Sequence, residues 1–253
     1  MYLYYFTLLL MFAVTSCQKQ PQTLTNKSVE ADAEVNTIAA ELQKSETHTK
    51  ELLDFFTDNS KIGIPHKNKV ELSLIENEKN YVVELKFYSL AKNNEWNLNQ
   101  TVQLENYASF PLDAELKDFN NDGFKDLTYI SGIAARGANE IRNLLIYDKT
   151  KNELVYIKNS GDYPNLLYNK ELDCIDAQRF YGGNSTDFVK IEGDMLKDFA
   201  RVETFGTERT VYLIDKNGNE KLLRKEKVSE DSLFERYKTF NPPQPYTSRE
   251  LEQ

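Results

Sequence analysis

The chain has 253 residues, with 40 acidic and 31 basic side chains, a net charge of −9, two cysteines and two histidines. An acidic chain with no basic surplus is a poor partner for a phosphate backbone, which argues against nucleic-acid binding. Two cysteines cannot build a disulfide scaffold or a four-cysteine zinc site, while 40% hydrophobic and 12% aromatic residues are too many for a disordered chain.

Tyr2 to Val14 is an uncharged apolar run, too short to span a bilayer comfortably but suited to the core of a signal peptide. Val14-Thr15-Ser16-Cys17 follows directly, an aliphatic residue and two small ones before Cys. This resembles a bacterial lipobox, although no Lys or Arg precedes the run and Val stands where Leu is commoner. The resemblance implies a signal peptide over residues 1–16 and a lipid on the Cys17 sulfur. It places the protein in the bacterial cell envelope; Gln18, rather than Asp, gives no signal for retention at an inner membrane. An ordinary signal peptide with an incidental Cys is the plain alternative. Residues 17–28 are polar and lack an apolar period, as a flexible tether does. The remaining thiol, Cys174, sits in Leu172-Asp173-Cys174-Ile175 and reads as a small buried apolar residue.

Val35, Ile38, Leu42, Thr49, Leu52, Leu53 and Phe56 recur at steps of three and four, which predicts a helical segment within residues 29–60. From residue 68 onward the period changes to two. Strands are expected at 70–74, 81–90, 98–104, 127–130, 143–147, 154–157, 187–191, 200–204, 210–214 and 220–228. Asn- and Gly-containing turns separate them, Asp215–Asn219 being one such hairpin turn. The fold class expected is mainly β, an antiparallel sandwich or small propeller-like domain over residues 61–240. An irregular Pro-rich tail over 241–253 follows.

One segment carries sharp chemistry. Asp118, Asn120, Asp122 and Asp126 occupy positions 1, 3, 5 and 9 of a loop with Gly123 at position 6. Ca²⁺ takes six to eight oxygens, and alternating positions of a tight loop point inward together, with Gly relieving the bend. Phe124 would add its backbone carbonyl. Position 12 is Tyr129 rather than the bidentate Glu of an EF-hand, so this shortened loop is closer to those of dockerins and FG-GAP repeats. The expected cofactor is Ca²⁺ and the expected ligands are Asp118, Asn120, Asp122, Phe124 and Asp126. The plain alternative is an Asx-rich turn without metal.

The order of segments around the loop carries a wider resemblance. Residues 114–127 lead into the Gly-containing stretch Ser131–Asn139, then a strand ending Ile146-Tyr147-Asp148, and later Phe188-Val189-Lys190-Ile191-Glu192-Gly193-Asp194-Met195-Leu196. Over roughly residues 112–205 this resembles calcium-loop periplasmic lipoproteins. Among these are immunity proteins that protect bacteria from peptidoglycan-cutting effectors of killing type IV secretion systems. They are similar in turn to invertebrate-type lysozyme inhibitors. Such families plug a lysozyme cleft from a Ser-Gly-x-x-Tyr segment; Ser160-Gly161-Asp162-Tyr163 is one residue short of it. The resemblance implies a lysozyme-like hydrolase or another envelope protein as partner, with Tyr163 as one contact. Arg136, in a stretch of three Ala and two Gly, would be a charged anchor if that loop meets a partner and plain surface if not.

Three functions follow from these readings. The first is a non-catalytic binding lipoprotein, anchored to the membrane through Cys17, whose negative charge steers it to a basic hydrolase. The second is a calcium-stabilised module for glycans or an envelope protein. The third is an extracellular polymer-acting enzyme, for which the sequence offers no Gly-x-Ser-x-Gly elbow, His-Glu-x-x-His helix or phosphate loop.

Overall fold

The computed structural model describes residues 50–77 and 80–251. The signal peptide, Cys17, the tether and most of the expected helical segment lie outside the described residues. No helix among the described residues is long and apolar enough to cross a membrane.

The first sheet orders β1 (Glu51–Asp58), β2 (Asn68–Asn77), β3 (Asn80–Leu90) and β4 (Trp96–Asn106) as a meander. A second holds β5 (Glu115–Lys117), β6 (Asp126–Ala134), β7 (Asn139–Asp148) and β8 (Glu153–Tyr156). The third joins β9 (Leu166–Asn169), β10 (Cys174–Phe180), β11 (Asn184–Glu192), β12 (Met195–Phe205), β13 (Glu208–Ile214) and β14 (Glu220–Lys227). A hairpin of β15 (Tyr237–Phe240) and β16 (Pro243–Pro245) precedes a short helix α1 (Ser248–Leu251). The protein is mainly β and antiparallel, as expected, and among the described residues no sheet closes into a barrel.

Burial follows from the period of each strand. In β2, Val70, Leu72 and Leu74 are fully buried while the residues between them are half-buried, the one-sided alternation of an outer sheet. The second sheet is covered on both faces. Leu127, Tyr129, Leu145 and Tyr147 join Val83, Leu85 and Phe87 of the first sheet in one core. Leu144 and Ile146, on the opposite face of β7, join Ile175, Ala177 and Val189 of the third sheet in another. That explains why Leu144 to Tyr147 of β7 are four apolar residues in a row. Burying each such side chain contributes roughly 1.5–3 kcal/mol. A third cluster sets Phe188, Val202 and Val211 against Tyr237 and Phe240 of the C-terminal hairpin. Cys174 lies at 5% exposure beside that cluster, and burial pushes its thiol up to about 12, so it is inert filling.

Two expectations are corrected. Glu51–Asp58 is a strand, not part of a helix, because it pairs with β2 from Glu51↔Glu76 to Asp58↔Val70. Leu52, Leu53 and Phe56 fit either period, and the available partner strand decides between them. The β domain therefore begins near residue 51 rather than 61. The tail over 241–253 is also ordered in part, by β16 and α1, and the Tyr246 hydroxyl donates to Asp176 Oδ2 at 2.7 Å.

Candidate metal centre

The Asp118–Leu127 loop lies between β5 and the start of β6, with its ends fixed by the Lys117↔Asp126 pair. Inside the loop, carboxylates gather backbone N–H groups. Asp118 Oδ1 accepts from Asp122 N at 3.2 Å and its Oδ2 from Gly123 N at 2.9 Å. Asp122 Oδ1 accepts from Phe124 N at 2.9 Å, and Asn120 Nδ2 donates to Asp122 Oδ2 at 3.0 Å. Gly123 sits at φ +86° with open space where a Cβ would be, so backbone conformation rather than crowding selects glycine there.

Asp126 is built differently. It is fully buried, its Oδ2 accepts from Phe119 N at 2.7 Å and its Oδ1 from Tyr147 N at 2.9 Å. One carboxylate thus staples the loop to the backbone of β7. Burial pushes its carboxyl up to about 7 against those two amides, and the nearby charges of Asp122 and Asp118 push the same way. The Phe124 ring packs edge-on to Tyr147 at 5.6 Å, and Gly63 N donates to the Lys125 carbonyl at 3.0 Å. The loop is thereby held from three sides.

Among the described residues, no three His, Cys, Asp or Glu side chains converge as a ready-made metal cluster. The fit to a hard cation rests on donor type. Each hydrogen bond just described occupies one lone pair of an oxygen that has two or more. Three carboxylates, an amide oxygen and the Phe124 carbonyl on one tight loop are the donors Ca²⁺ takes. A dication there would also offset the smaller, repulsive part of the rise at Asp126, which comes mainly from burial and partly from Asp122 and Asp118.

The structure does not bring the other sequence-predicted residues to this loop. Arg136 is exposed at the β6–β7 turn, at φ +57° between Ala135 at +50° and Gly137 at +100°. Three left-handed residues in succession, two of them not Gly, mark a strained tip. Tyr163, expected to face a partner, is instead buried at 8% exposure, and its hydroxyl donates to Asp198 Oδ2 at 2.8 Å. The Ser160–Asp162 segment is a 3-10 turn, with Ser160 Oγ accepting from Leu144 N at 3.1 Å. Its neighbours hold it against the central sheet. Tyr129 and Tyr147 are core residues, while Tyr181 is exposed. The Asp215–Asn219 segment is the hairpin turn expected, Asp215 Oδ1 accepting from Asn217 N and Asn219 N.

Sequence reasoning missed the buried pair of Asp176 and Arg236. Arg236 Nε donates to Asp176 Oδ1 at 2.5 Å and its Nη2 to the Asp176 carbonyl at 2.9 Å. Sixty residues separate them, so no local pattern could signal the pair. The nearest clue was Asp176 inside the apolar run of β10.

No protein family matches this sequence, and no curated protein is detectably similar to it. A solved structure described as that of a Xanthomonas type IV secretion system related protein is similar over 70% of this chain and 98% of its own. The identity is 11% and the TM-score 0.43, a likeness that carries no argument about function.

Proposed function

We propose that the protein is a calcium-binding, non-catalytic binding protein of the bacterial envelope, anchored through a lipid on Cys17. The observation that carries this reading is the Asp118–Asp126 loop, which carries three carboxylates, an amide and the Phe124 carbonyl on one tight turn with a glycine at positive φ. In this reading Asp118, Asn120, Asp122, Phe124 and Asp126 hold the ion. Its binding stiffens the connection between β5, β6 and β7. The net charge of −9 steers the protein toward a basic partner and speeds encounter. That partner is a lysozyme-like hydrolase, met by the strained, exposed Arg136 tip rather than by the buried Tyr163.

The test is cell-wall clearing by a panel of lysozymes with the purified protein added. Clearing by at least one lysozyme is expected to slow in Ca²⁺ and to recover in chelator. Arg136→Ala is expected to weaken the effect about tenfold, as loss of an interface anchor does. Unchanged clearing by every lysozyme, with Ca²⁺ or without it, contradicts the hydrolase reading.

A further inference from the structure

Arg179, Ser185 and Glu203 stand side by side on β10, β11 and β12, since Arg179 is paired with Ser185 and Ser185 with Glu203. Residues in register across a sheet point to one face, so guanidinium and carboxylate flank a short, buried serine. Strands lie about 4.8 Å apart, which sets the two flanking backbones roughly 10 Å from each other. This part of the face is an open cavity of about 410 Å³, a size in the range of ligand sites. Tyr181, Asp162 and Asp198 also line it, with Asp187 and Arg201 beside the serine. Arg179, Asp198 and Glu203 are half-buried and Asp162 and Tyr181 exposed, so a ligand in the cavity can reach all five.

Charge decides what kind of ligand fits. Arg201 Nε donates to Asp187 at 2.6 Å and its Nη1 to Glu220 at 2.8 Å, so two carboxylates already answer that guanidinium. Arg179 and Glu203 are different, for neither forms an ion pair among the described residues although they share one cavity. Arg179 Nη2 donates to the Asp162 carbonyl, and Glu203 accepts from the Tyr181 hydroxyl. Each neutral partner orients the charged group and leaves its charge unmatched. Arg179 keeps further N–H donors and Glu203 further lone pairs. A ligand that answers both must carry an anion and a cation close together, as a free α-amino acid does. Four carboxylates of Asp162, Asp187, Asp198 and Glu203 face two guanidiniums of Arg179 and Arg201. That excess favours a basic side chain on the ligand and opposes an acidic one.

We propose that this cavity binds a free basic α-amino acid, its carboxylate on Arg179, its α-ammonium on Glu203 and its side-chain cation toward Asp162 and Asp198. The proposal rests on neither the calcium loop nor Arg136, so its test is run in chelator and its failure leaves that reading standing. Lysine, arginine, alanine and glutamate are titrated into the purified protein by calorimetry. Cadaverine, a diamine without the carboxylate, is the control for a surface that merely attracts cations. Lysine or arginine is expected to bind saturably at millimolar concentration, about tenfold tighter than alanine, glutamate or cadaverine. Arg179→Ala should weaken lysine binding about tenfold and leave cadaverine unchanged, a split that a merely structural arginine would not produce. Glu203→Gln keeps an acceptor for the Tyr181 hydroxyl but loses the charge, and should weaken lysine binding to a similar degree. No saturable binding of lysine or arginine overturns the proposal, as does cadaverine binding as tightly as lysine. Unchanged lysine affinity in Glu203→Gln overturns it as well, whether or not Arg179→Ala folds.

Discussion

Arg236→Ala is expected to destabilise the protein by about 3–5 kcal/mol at neutral pH, the range for breaking a buried ion pair from one side. Asp176 is fully buried, and Asn169 Nδ2 at 2.9 Å and the Tyr246 hydroxyl at 2.7 Å also donate to it. Those two neutral donors remain in the variant, but the counter-charge does not. Burial already pushes the Asp176 carboxyl up, opposed by Arg236, and removing Arg236 pushes it further. A carboxyl whose folded-state pKa lies above its unfolded value gives stability that falls as pH rises past the unfolded value. The deficit of Arg236→Ala should therefore shrink as the pH falls toward the unfolded-chain value of about 4, because the raised Asp176 carboxyl of the folded variant takes up its proton before that point. Urea unfolding at both pH values checks this. An equal deficit at both would mean that packing of the guanidinium, not its charge, is what the variant loses.

Asp126→Asn should cost about 2–4 kcal/mol in chelator, nearly as much from a single-atom change. The amide keeps one acceptor oxygen where the carboxylate has two. Its NH₂ group must then face one of the backbone N–H groups of Phe119 or Tyr147, leaving a buried donor against a donor. Because one of those amides belongs to β7, the damage should spread into the central sheet. Hydrogen exchange is expected to speed up at the Phe119 and Tyr147 amides before it does in the third sheet. Wild-type stability in Asp126→Asn would mean that the carboxyl is not what staples the loop.

What could be read from the sequence was local. The Asp118–Asp126 spacing declares a tight turn because each Asx side chain bonds a backbone group a few residues away, and the structure has those bonds. Alternation in β2 and β3 was legible because one face of their sheet meets solvent. The strand β1 was not, because its apolar spacing suits a helix until β2 is present to pair with it. Tyr163 gave no sign of burial, since its partners Asp198 and the third-sheet core come from later in the chain. The same holds for Asn68 and Asn152, bonded at 2.9 Å across 84 residues to tie the first sheet to the turn after β7. Thr128 looked like any strand threonine. Only the packed structure shows its hydroxyl enclosed without a partner.

The proposed Ca²⁺ site differs from the rest of the fold in one respect, since its oxygens answer to the loop backbone as they stand. A cation that binds the folded loop and not the unfolded chain must raise stability by mass action. The direct measurement is thermal unfolding of the wild-type protein and of Asp122→Ala across a Ca²⁺ titration from chelator upward. At a hundred times the dissociation constant the wild type should gain about 2.7 kcal/mol, or roughly 5–10 °C in Tm. Asp122→Ala should show no shift over the same range. A wild-type Tm that does not move with Ca²⁺, or an Asp122→Ala variant that moves just as far, would contradict the account at its centre.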